Sequence, residues 1–138
     1  MLSGINHIML SVAEVERSFI FYRDILGFRP LCRHSRGAYF LCGDDWICIS
    51  LKENYSVNPN PDYSHLAFSI SSNDFPVLTQ RIVASGAKIF QDNESEGASL
   101  YFCDPDGHQL EIHVGGHHSR INSKKINPGS WQDVEFFI

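Results

Sequence analysis

SEGASLYFCDPDGHQLEIHVG, residues 95–115 of the 138-residue chain, predicts a loop of small residues, a strand, a tight turn and a second strand. The turn is Asp104-Pro105-Asp106-Gly107, which has the residue types that β-turns favour. Polar and apolar side chains alternate along residues 109–114, so Glu111 lies on the polar face of the second strand. A lone Glu on such a face is usually solvated. Glu111 gains a role only if the rest of the chain brings other ligand-type side chains to it.

The same order of elements occurs twice in the chain. NHIMLSV at residues 6–12 matches SHLAFSI at residues 64–70, and each stretch precedes a predicted helix that ends at a glycine. In the first half, the predicted strands are Ile5–Val12, Phe28–His34, Ala38–Cys42 and Trp46–Leu51. In the second half, they are Tyr63–Ser71, Lys88–Gln91 and the two strands within residues 95–115. Ser72 is the predicted N-cap of the second helix. Two β-α-β-β-β units predict an α+β domain whose sheets curl around a cleft.

The domain prediction is a single body over residues 1–121. Its units are residues 4–52 and 62–115, and the Pro- and Asn-rich stretch 53–61 joins them. Residues 122–138 form a C-terminal tail, whose aromatic side chains pack either on the body or on a partner chain.

Composition excludes several classes of function. The formal charge is −5 with no basic run, so nucleic acid is not an expected partner. No apolar run is long enough to span a membrane, and no secretory signal is visible at the N-terminus. Four cysteines lack the spacing of a disulfide framework or a zinc site, which favours reduced thiols. We therefore expect a cytoplasmic protein.

Three ligand-type side chains occupy corresponding strand positions. His7 and His65 lie on the first strand of each unit, and Glu111 lies on the last strand of the second unit. A histidine in a strand is most often structural, but the repeat places both at the same position. Two imidazoles and one carboxylate with open positions are typical of a catalytic divalent metal, so the pattern predicts a metal site. His113, on the same face as Glu111, could orient that carboxylate.

Other polar residues have two interpretations each. The loop at residues 93–99 is either an ordinary flexible loop or a set of oxygens for a cation or an anion. Tyr39 and Tyr101 are either core residues or buried hydroxyl groups with partners. Arg120 is either a surface residue or an anion clamp at the mouth of the cleft. The remaining histidines, His34, His108, His117 and His118, are expected on the surface.

The paired units with His7, His65 and Glu111 resemble the vicinal oxygen chelate superfamily, also called the glyoxalase superfamily. Within it, SEGASLYFCDPDGHQLEIHVG resembles the manganese-dependent, FosA-type glutathione transferases that confer fosfomycin resistance. MLSGINHIMLSV at the start, FYRDILGF, the Gly37–Tyr39 run and WICIS at Trp46–Ser50 resemble them as well. The similarity covers residues 1–121. The sibling branch that hydrates the epoxide carries a Glu near the position of Gly37, which this sequence lacks.

The resemblance implies an activity and a set of site residues. The activity is the opening of the fosfomycin epoxide by glutathione, on a divalent metal for which manganese is favoured and iron, zinc or nickel are alternatives. The implied residues are His7, His65 and Glu111 for the metal; Asn93, Ser95, Gly97 and Ser99 for a potassium ion; Ser95, Tyr101, Arg120 and Gln91 for the substrate; Trp46 and Cys48 for the pocket wall; and Tyr39 as the catalytic group for the thiol. Family members are cytoplasmic homodimers, so His7 would come from one chain and His65 and Glu111 from the other.

Three residues depart from the family pattern. Met9 stands in place of a Thr beside the first metal ligand and removes a hydrogen-bonding group from a catalytic position. Gln91 stands in place of a Lys, and Glu94 in place of an Arg. Two alternative functions follow from these departures. One is another chemistry of the superfamily, such as a lyase, an isomerase or a ring-cleaving dioxygenase, on a small oxyanion. The other is a protein that sequesters its ligand with reduced catalysis.

Overall fold

The computed structural model describes residues 1–56 and 62–138, in which eight strands form two four-stranded sheets. The first unit contains β1 (His7–Val12), α1 (Val15–Ile20) with a π-helical turn at Phe21–Ile25, β2 (Arg29–His34), β3 (Gly37–Cys42) and β4 (Asp45–Leu51). The second contains β5 (Leu66–Ser69), α2 (Phe75–Ala84), β6 (Ile89–Gln91), β7 (Ser99–Cys103) and β8 (Gln109–His113). The predicted repeat of β-α-β-β-β units and the α+β class are confirmed.

The two sheets have the same topology. Their strand orders are β1-β4-β3-β2 and β5-β8-β7-β6, so the first strand of each unit pairs with the last. That pairing is parallel in both sheets, and the other pairs are antiparallel. The last strand of each unit is therefore a central strand and is held on both sides. This position fixes Glu111 in the middle of the second sheet.

One hydrophobic core serves both units. Phe21 of the first unit packs on Phe102 of the second with 6.5 Å between ring centroids, and Phe28 packs on Phe68 at 5.3 Å. Burying one such aromatic side chain stabilises the fold by about 1.5–3 kcal/mol. The core-facing residues of each sheet alternate with the predicted site residues. The faces that carry His7 and Glu111 are therefore turned away from the shared core.

The start of the second helix differs from the prediction. Its N-cap is Asp74, not Ser72, and the helix begins at Phe75. Ser71 and Asp74 exchange hydrogen bonds, because the Ser71 hydroxyl donates to the Asp74 carboxylate at 2.8 Å and accepts from the Asp74 amide at 3.1 Å. This turn delays the helix by two residues. Pro76 then falls in the first turn, where the missing amide proton costs no helical hydrogen bond.

A third helix, α3 (His117–Ile126), was not predicted. It crosses the expected boundary between domain and tail at residues 121 and 122. Beyond it the tail folds back on the helix, since the Lys124 ammonium lies 4.5 Å from the centre of the Trp131 ring and Lys125 donates to the carbonyl of Ile138. The four cysteines are free. No helix in residues 1–56 or 62–138 is both long and apolar enough to cross a membrane.

Candidate metal and anion site

Glu111 is a buried carboxylate at the centre of the second sheet. Only 4% of its surface is exposed. In the strand register it stands opposite Ala67 of β5 on one side and Tyr101 of β7 on the other. A buried charge of this kind needs polar partners to be tolerated.

The partners of Glu111 are ligand-type groups. Its Oε2 lies 2.9 Å from Nε2 of His65, and its Oε1 accepts a hydrogen bond from the Ser99 hydroxyl at 2.6 Å. His113 lies on the same side, with Nδ1 3.5 Å from Glu111 Oε1 and 2.6 Å from the Ser99 oxygen. Imidazole nitrogen and carboxylate oxygen are both ligands of divalent metals. The donor set of His65 and Glu111 thus fits a metal ion at the point where Nε2 and Oε2 meet.

His65 is held in place from its other ring nitrogen. The Tyr63 hydroxyl lies 2.8 Å from Nδ1 of His65. The Tyr101 ring meets the imidazole edge to face, with 5.7 Å between centroids and an interplanar angle of 85°. Tyr101 is 6% exposed, and Gln91 of β6 pairs with it in the register. These contacts keep Nε2 directed at Glu111.

A pocket of about 320 Å³ adjoins this pair. Ala67, Glu111, His113, Gly116, His117 and Arg120 line it. Arg120 comes from α3, and its Nη2 lies 3.4 Å from Nε2 of His113. The Arg120 Nε lies 3.6 Å from a carboxylate oxygen of Glu96. This distance allows an ion pair but is too long for a hydrogen bond, so the Nε–H has no hydrogen-bond partner among the described residues. A guanidinium with free donor capacity beside a carboxylate that can bind a metal is able to bind an oxyanion.

The loop before β7 is closed by its own side chains. Asn93 donates to the carbonyl of Gly97 at 2.7 Å and accepts from both the amide and the hydroxyl of Ser95. Gly97 has φ +82°, and a Cβ there would lie 2.3 Å from the carbonyl oxygen of Val114. Only glycine fits at this close approach. The loop therefore has a fixed shape, and Ser99 at its end is the residue that reaches Glu111.

The first unit carries a second cluster around His7. The His7 ring packs on Trp46 with 4.7 Å between centroids, and its Nδ1 is 2.8 Å from the Asn6 side-chain oxygen. Tyr39 meets Trp46 edge to face at 5.2 Å. The Tyr39 and Met9 side chains are 40% and 54% exposed, which is high for residues of these types. This face of the first sheet is thus largely open.

Cys48 is the buried member of that face. It stands between Met9 of β1 and Tyr39 of β3 in the register and is 5% exposed. Desolvation raises the pKa of its thiol, with a smaller contribution from Cys32. Because only the thiolate is strongly nucleophilic, Cys48 acts as an apolar wall residue and not as a reactive thiol.

Within one chain His7 and Glu111 line different pockets. His7 and Trp46 line a small pocket of about 160 Å³, Glu111 and Arg120 line the other, and Ala67 borders both. In the part of the chain that the structure describes, no three His, Cys, Asp or Glu side chains converge as a metal site. The structure brings His65 to Glu111 and does not bring His7 to them.

The observed contacts of three residues near the site were not predicted from the sequence. Tyr63 was treated only as the start of a strand, and Ser99 was predicted for a cation loop and not as a partner of Glu111. His117 is exposed, as expected, and also lines the pocket with Arg120. The i, i+3 spacing of His117 and Arg120 would have indicated this only if α3 had been predicted. Among the other histidines, His108 was wrongly expected on the surface: it is half-buried, and its Nε2 lies 2.7 Å from the carbonyl oxygen of Ser11.

The chain belongs to the Glyoxalase/Bleomycin resistance protein/Dioxygenase superfamily, whose family model matches residues 4–112. It is 42% identical over 130 residues to glutathione transferase FosA of Serratia marcescens, and this match covers 93% of the chain and 92% of that protein. It is 36% identical over 129 residues to metallothiol transferase FosB of Staphylococcus haemolyticus, covering 91% of the chain and 93% of that protein.

The fold is similar to the crystal structure of the fosfomycin resistance protein FosX from Listeria monocytogenes in complex with Mn(II) and a sulfate ion. The TM-score is 0.78 and the sequence identity 31%, over 89% of this chain and 98% of that one. The predicted superfamily and its fold are therefore confirmed.

Proposed function

We propose that this protein is a metal-dependent transferase that opens the epoxide of fosfomycin with glutathione. One observation carries the proposal: His65 Nε2 and Glu111 Oε2 meet at 2.9 Å beside the pocket of Arg120. This arrangement offers a metal ligand pair and an anion-binding group side by side, as a phosphonate with a neighbouring epoxide oxygen requires. The similarity to FosA and FosB, which are named as thiol transferases, supports the reaction class.

The metal would be held by His7, His65 and Glu111. A divalent ion at this site supplies Lewis acidity toward the oxygens of the substrate. Manganese is favoured, because the similar FosX structure contains Mn(II). The donor set of nitrogen and oxygen atoms also suits iron, zinc or nickel.

The substrate would be bound by residues around the pocket. Arg120 would bind the phosphonate through its guanidinium, with Ser95, Tyr101 and Gln91 as further contacts. The sulfate in the FosX complex is a tetrahedral oxyanion like a phosphonate and supports this type of ligand. Glutathione would enter along the open face of the first sheet, where Tyr39 orients its thiol and Trp46 and Cys48 form the wall.

The overall reaction breaks an S–H and a C–O bond and forms a C–S and an O–H bond. The glutathione thiol loses its proton, its sulfur attacks an epoxide carbon, and the C–S bond forms as the C–O bond breaks. The freed oxygen takes up a proton, so the net change is the addition of the thiol across the epoxide. The buried face around Glu111 limits access of water, which favours the thiol over water as nucleophile. Ser99 and His113 hold the Glu111 carboxylate in place while the substrate binds.

The complete site would need two copies of the chain. His7 lies outside the His65–Glu111 pair, and the exposed face of Met9 and Tyr39 offers a surface for a second copy. In this homodimer His7 of one copy faces His65 and Glu111 of the other. A potassium ion would bind at the loop of Asn93, Ser95, Gly97 and Ser99. A cytoplasmic location fits the use of reduced glutathione, an intracellular thiol.

The direct test is turnover of fosfomycin with glutathione, in the presence of Mn²⁺ and K⁺, followed by NMR of the product. We expect the glutathione adduct in the wild type and none without metal. The diol that forms by addition of water would instead place the protein with the epoxide-hydrating branch. Saturable binding of fosfomycin with no product, even at high protein concentration, would refute the transferase and favour the sequestering function.

The double variant Met9→Thr, Gln91→Lys tests whether the family departures weaken this reaction. It restores a hydroxyl and a positive charge near an anionic substrate. One hydrogen bond to a charged group is worth about 1.5–3 kcal/mol, so we expect kcat/KM to rise by about one to two decades. Equal kcat/KM for the double variant and the wild type would show that neither position contributes to the transition state.

A further inference from the structure

Tyr63 contacts a proposed metal ligand from behind. Its hydroxyl lies 2.8 Å from Nδ1 of His65, and the two ring centroids are 5.4 Å apart. Tyr63 and His65 are two residues apart just before β5, and this contact shows that their side chains lie on the same side of the chain. The Tyr63 ring is also packed on Phe90 at 6.1 Å, which holds the hydroxyl near the imidazole.

The hydrogen bonds of His65 form a chain with a defined order. A neutral imidazole carries one proton, so one ring nitrogen donates and the other accepts. If the Tyr63 hydroxyl donates to Nδ1, the proton of His65 lies on Nε2 and is donated to Glu111 Oε2, at 2.9 Å. Both contacts are then satisfied in the protein without metal.

Metal binding reverses this order. A metal ligand nitrogen cannot carry a proton, so a metal at Nε2 requires the proton of His65 on Nδ1. The Nδ1–H of His65 then donates a hydrogen bond to the Tyr63 oxygen. The Tyr63 hydroxyl rotates and donates its own proton to another acceptor. A hydroxyl can serve in both states, because it is donor and acceptor at once. A phenylalanine at this position could serve in neither.

We propose that Tyr63 is a positioning residue for the metal, which holds His65 in the orientation and tautomer that each state needs. The inference rests on the proposed metal site of His65 and Glu111, and it assigns Tyr63 a role that the substrate and metal residues above do not include. In this role Tyr63 acts through His65.

The Gln91 side chain offers the Tyr63 hydroxyl a second hydrogen-bond partner. The Gln91 amide carries both a donor and an acceptor. It can therefore remain hydrogen-bonded to Tyr63 when the Tyr63 hydroxyl no longer donates to His65. The edge-to-face contact of Tyr101 with His65 is apolar and cannot replace this support.

The variant Tyr63→Phe tests the role, because it keeps the ring and removes only the hydroxyl. We expect the affinity for Mn²⁺, followed by the EPR signal of the free ion, to fall about tenfold, the lower end of what such supporting groups contribute, since Tyr63 is 55% exposed. Tyr55→Phe is the matched control. Its hydroxyl also contacts a histidine, His108 Nε2 at 3.4 Å, but that histidine is not a proposed ligand, so Mn²⁺ affinity should be unchanged.

A second measurement reports on the tautomer without any turnover. Long-range ¹H–¹⁵N NMR should show the proton of His65 on Nε2 in the metal-free wild type and on Nδ1 after Zn²⁺ is added. In metal-free Tyr63→Phe we expect a mixture of the two tautomers. Equal Mn²⁺ affinity in Tyr63→Phe and the wild type, or the same His65 tautomer with and without Zn²⁺, would overturn the inference.

The outcome is separable from that of the proposed function. If fosfomycin is not turned over but Mn²⁺ affinity still depends on the Tyr63 hydroxyl, the transferase proposal fails and the role of Tyr63 stands. If turnover occurs and the hydroxyl makes no difference to metal affinity, only the role of Tyr63 is refuted.

Discussion

Asp106 and Glu111 are five residues apart, and both are almost fully buried, with 3% and 4% of their surface exposed. Their partners differ in kind. Asp106 accepts from the Ser18 hydroxyl at 3.1 Å, from the amide of Ala13 at 3.1 Å and from the Arg17 guanidinium at 2.9 Å. The partners of Glu111 are a serine hydroxyl and two imidazoles. The carboxylates belong to one stretch of chain but to two different sites.

The turn that carries Asp106 joins the two units. Asp104, in the same turn, accepts from the Tyr22 hydroxyl at 2.6 Å and from the amides of Asp106 and His108, each at 2.9 Å. Tyr22 is fully buried, and its pKa is raised by burial and then by the charge of Asp104. The buried hydrogen bond between Tyr22 and Asp104 thus joins the turn of the second unit to the π-helical turn of the first.

The difference lies in what the partners can do. Two of the three partners of Asp106, a guanidinium and a backbone amide, only donate and cannot bind a metal, and the third is a serine hydroxyl. Glu111 also has a serine hydroxyl as a partner, but its other two partners are imidazoles, whose nitrogens are metal ligands. The imidazoles therefore distinguish a carboxylate that can form a metal site from one that supports structure.

The largest effect is expected at Glu111→Gln. The variant removes the charge but keeps an oxygen for the Ser99 hydroxyl, so the free energy of unfolding should change little. Affinity for Mn²⁺ and turnover should fall by more than about 100-fold, because groups that only support metal ligands are already worth 10–100-fold. Isothermal titration with Mn²⁺ and urea unfolding measure the two quantities. Unchanged Mn²⁺ affinity would remove Glu111 from the site.

Asp106→Ala should show the opposite pattern. It leaves the buried Ser18 hydroxyl without an acceptor, and the free energy of unfolding should fall by about 1–3 kcal/mol. Ala13 is exposed, so its amide regains water and contributes little. Arg17 is half-exposed and regains water, so its lost ion pair contributes little. Urea unfolding gives the value, and Mn²⁺ affinity of the folded variant should equal that of the wild type. A selective loss of metal affinity with full stability would contradict the division into two sites.

The smallest effect concerns pH and Asp104. Burial raises the pKa of Asp104, although the hydrogen bond from Tyr22, the charge of His108 and two backbone hydrogen bonds oppose the rise. The folded state therefore holds the Asp104 proton to higher pH than the unfolded chain, whose Asp has a pKa of about 3.9. This group favours folding most below that value, and its contribution declines as pH rises through the raised pKa.

Asp104→Asn isolates that contribution, because an amide keeps an acceptor for the two backbone amides and cannot titrate. Urea unfolding between pH 4 and 7 should show stability falling more steeply with pH in the wild type than in Asp104→Asn. Parallel curves for the two proteins would show that burial does not control this carboxyl group.

Much of the architecture could be predicted from local pattern. The alternation in residues 109–114 placed Glu111 on the face opposite Leu110 and Ile112, and the repeat of NHIMLSV and SHLAFSI gave the order of elements in both units. These features depend on the two-residue period of a strand, which sequence shows directly. The start of α2 was missed because the Ser71–Asp74 turn competes with a cap at Ser72, and sequence does not rank such turns.

The sequence by itself determined which side chains share a strand face and which ligand types are present. Only the tertiary structure decided which faces meet. It placed His65 against Glu111, brought Arg120 to the same pocket through α3, and left His7 with Trp46 on another sheet. The distance between two residues on different sheets depends on how the whole core packs, and no sequence period reports it. Here it depends on how Phe21 and Phe28 pack against Phe102 and Phe68.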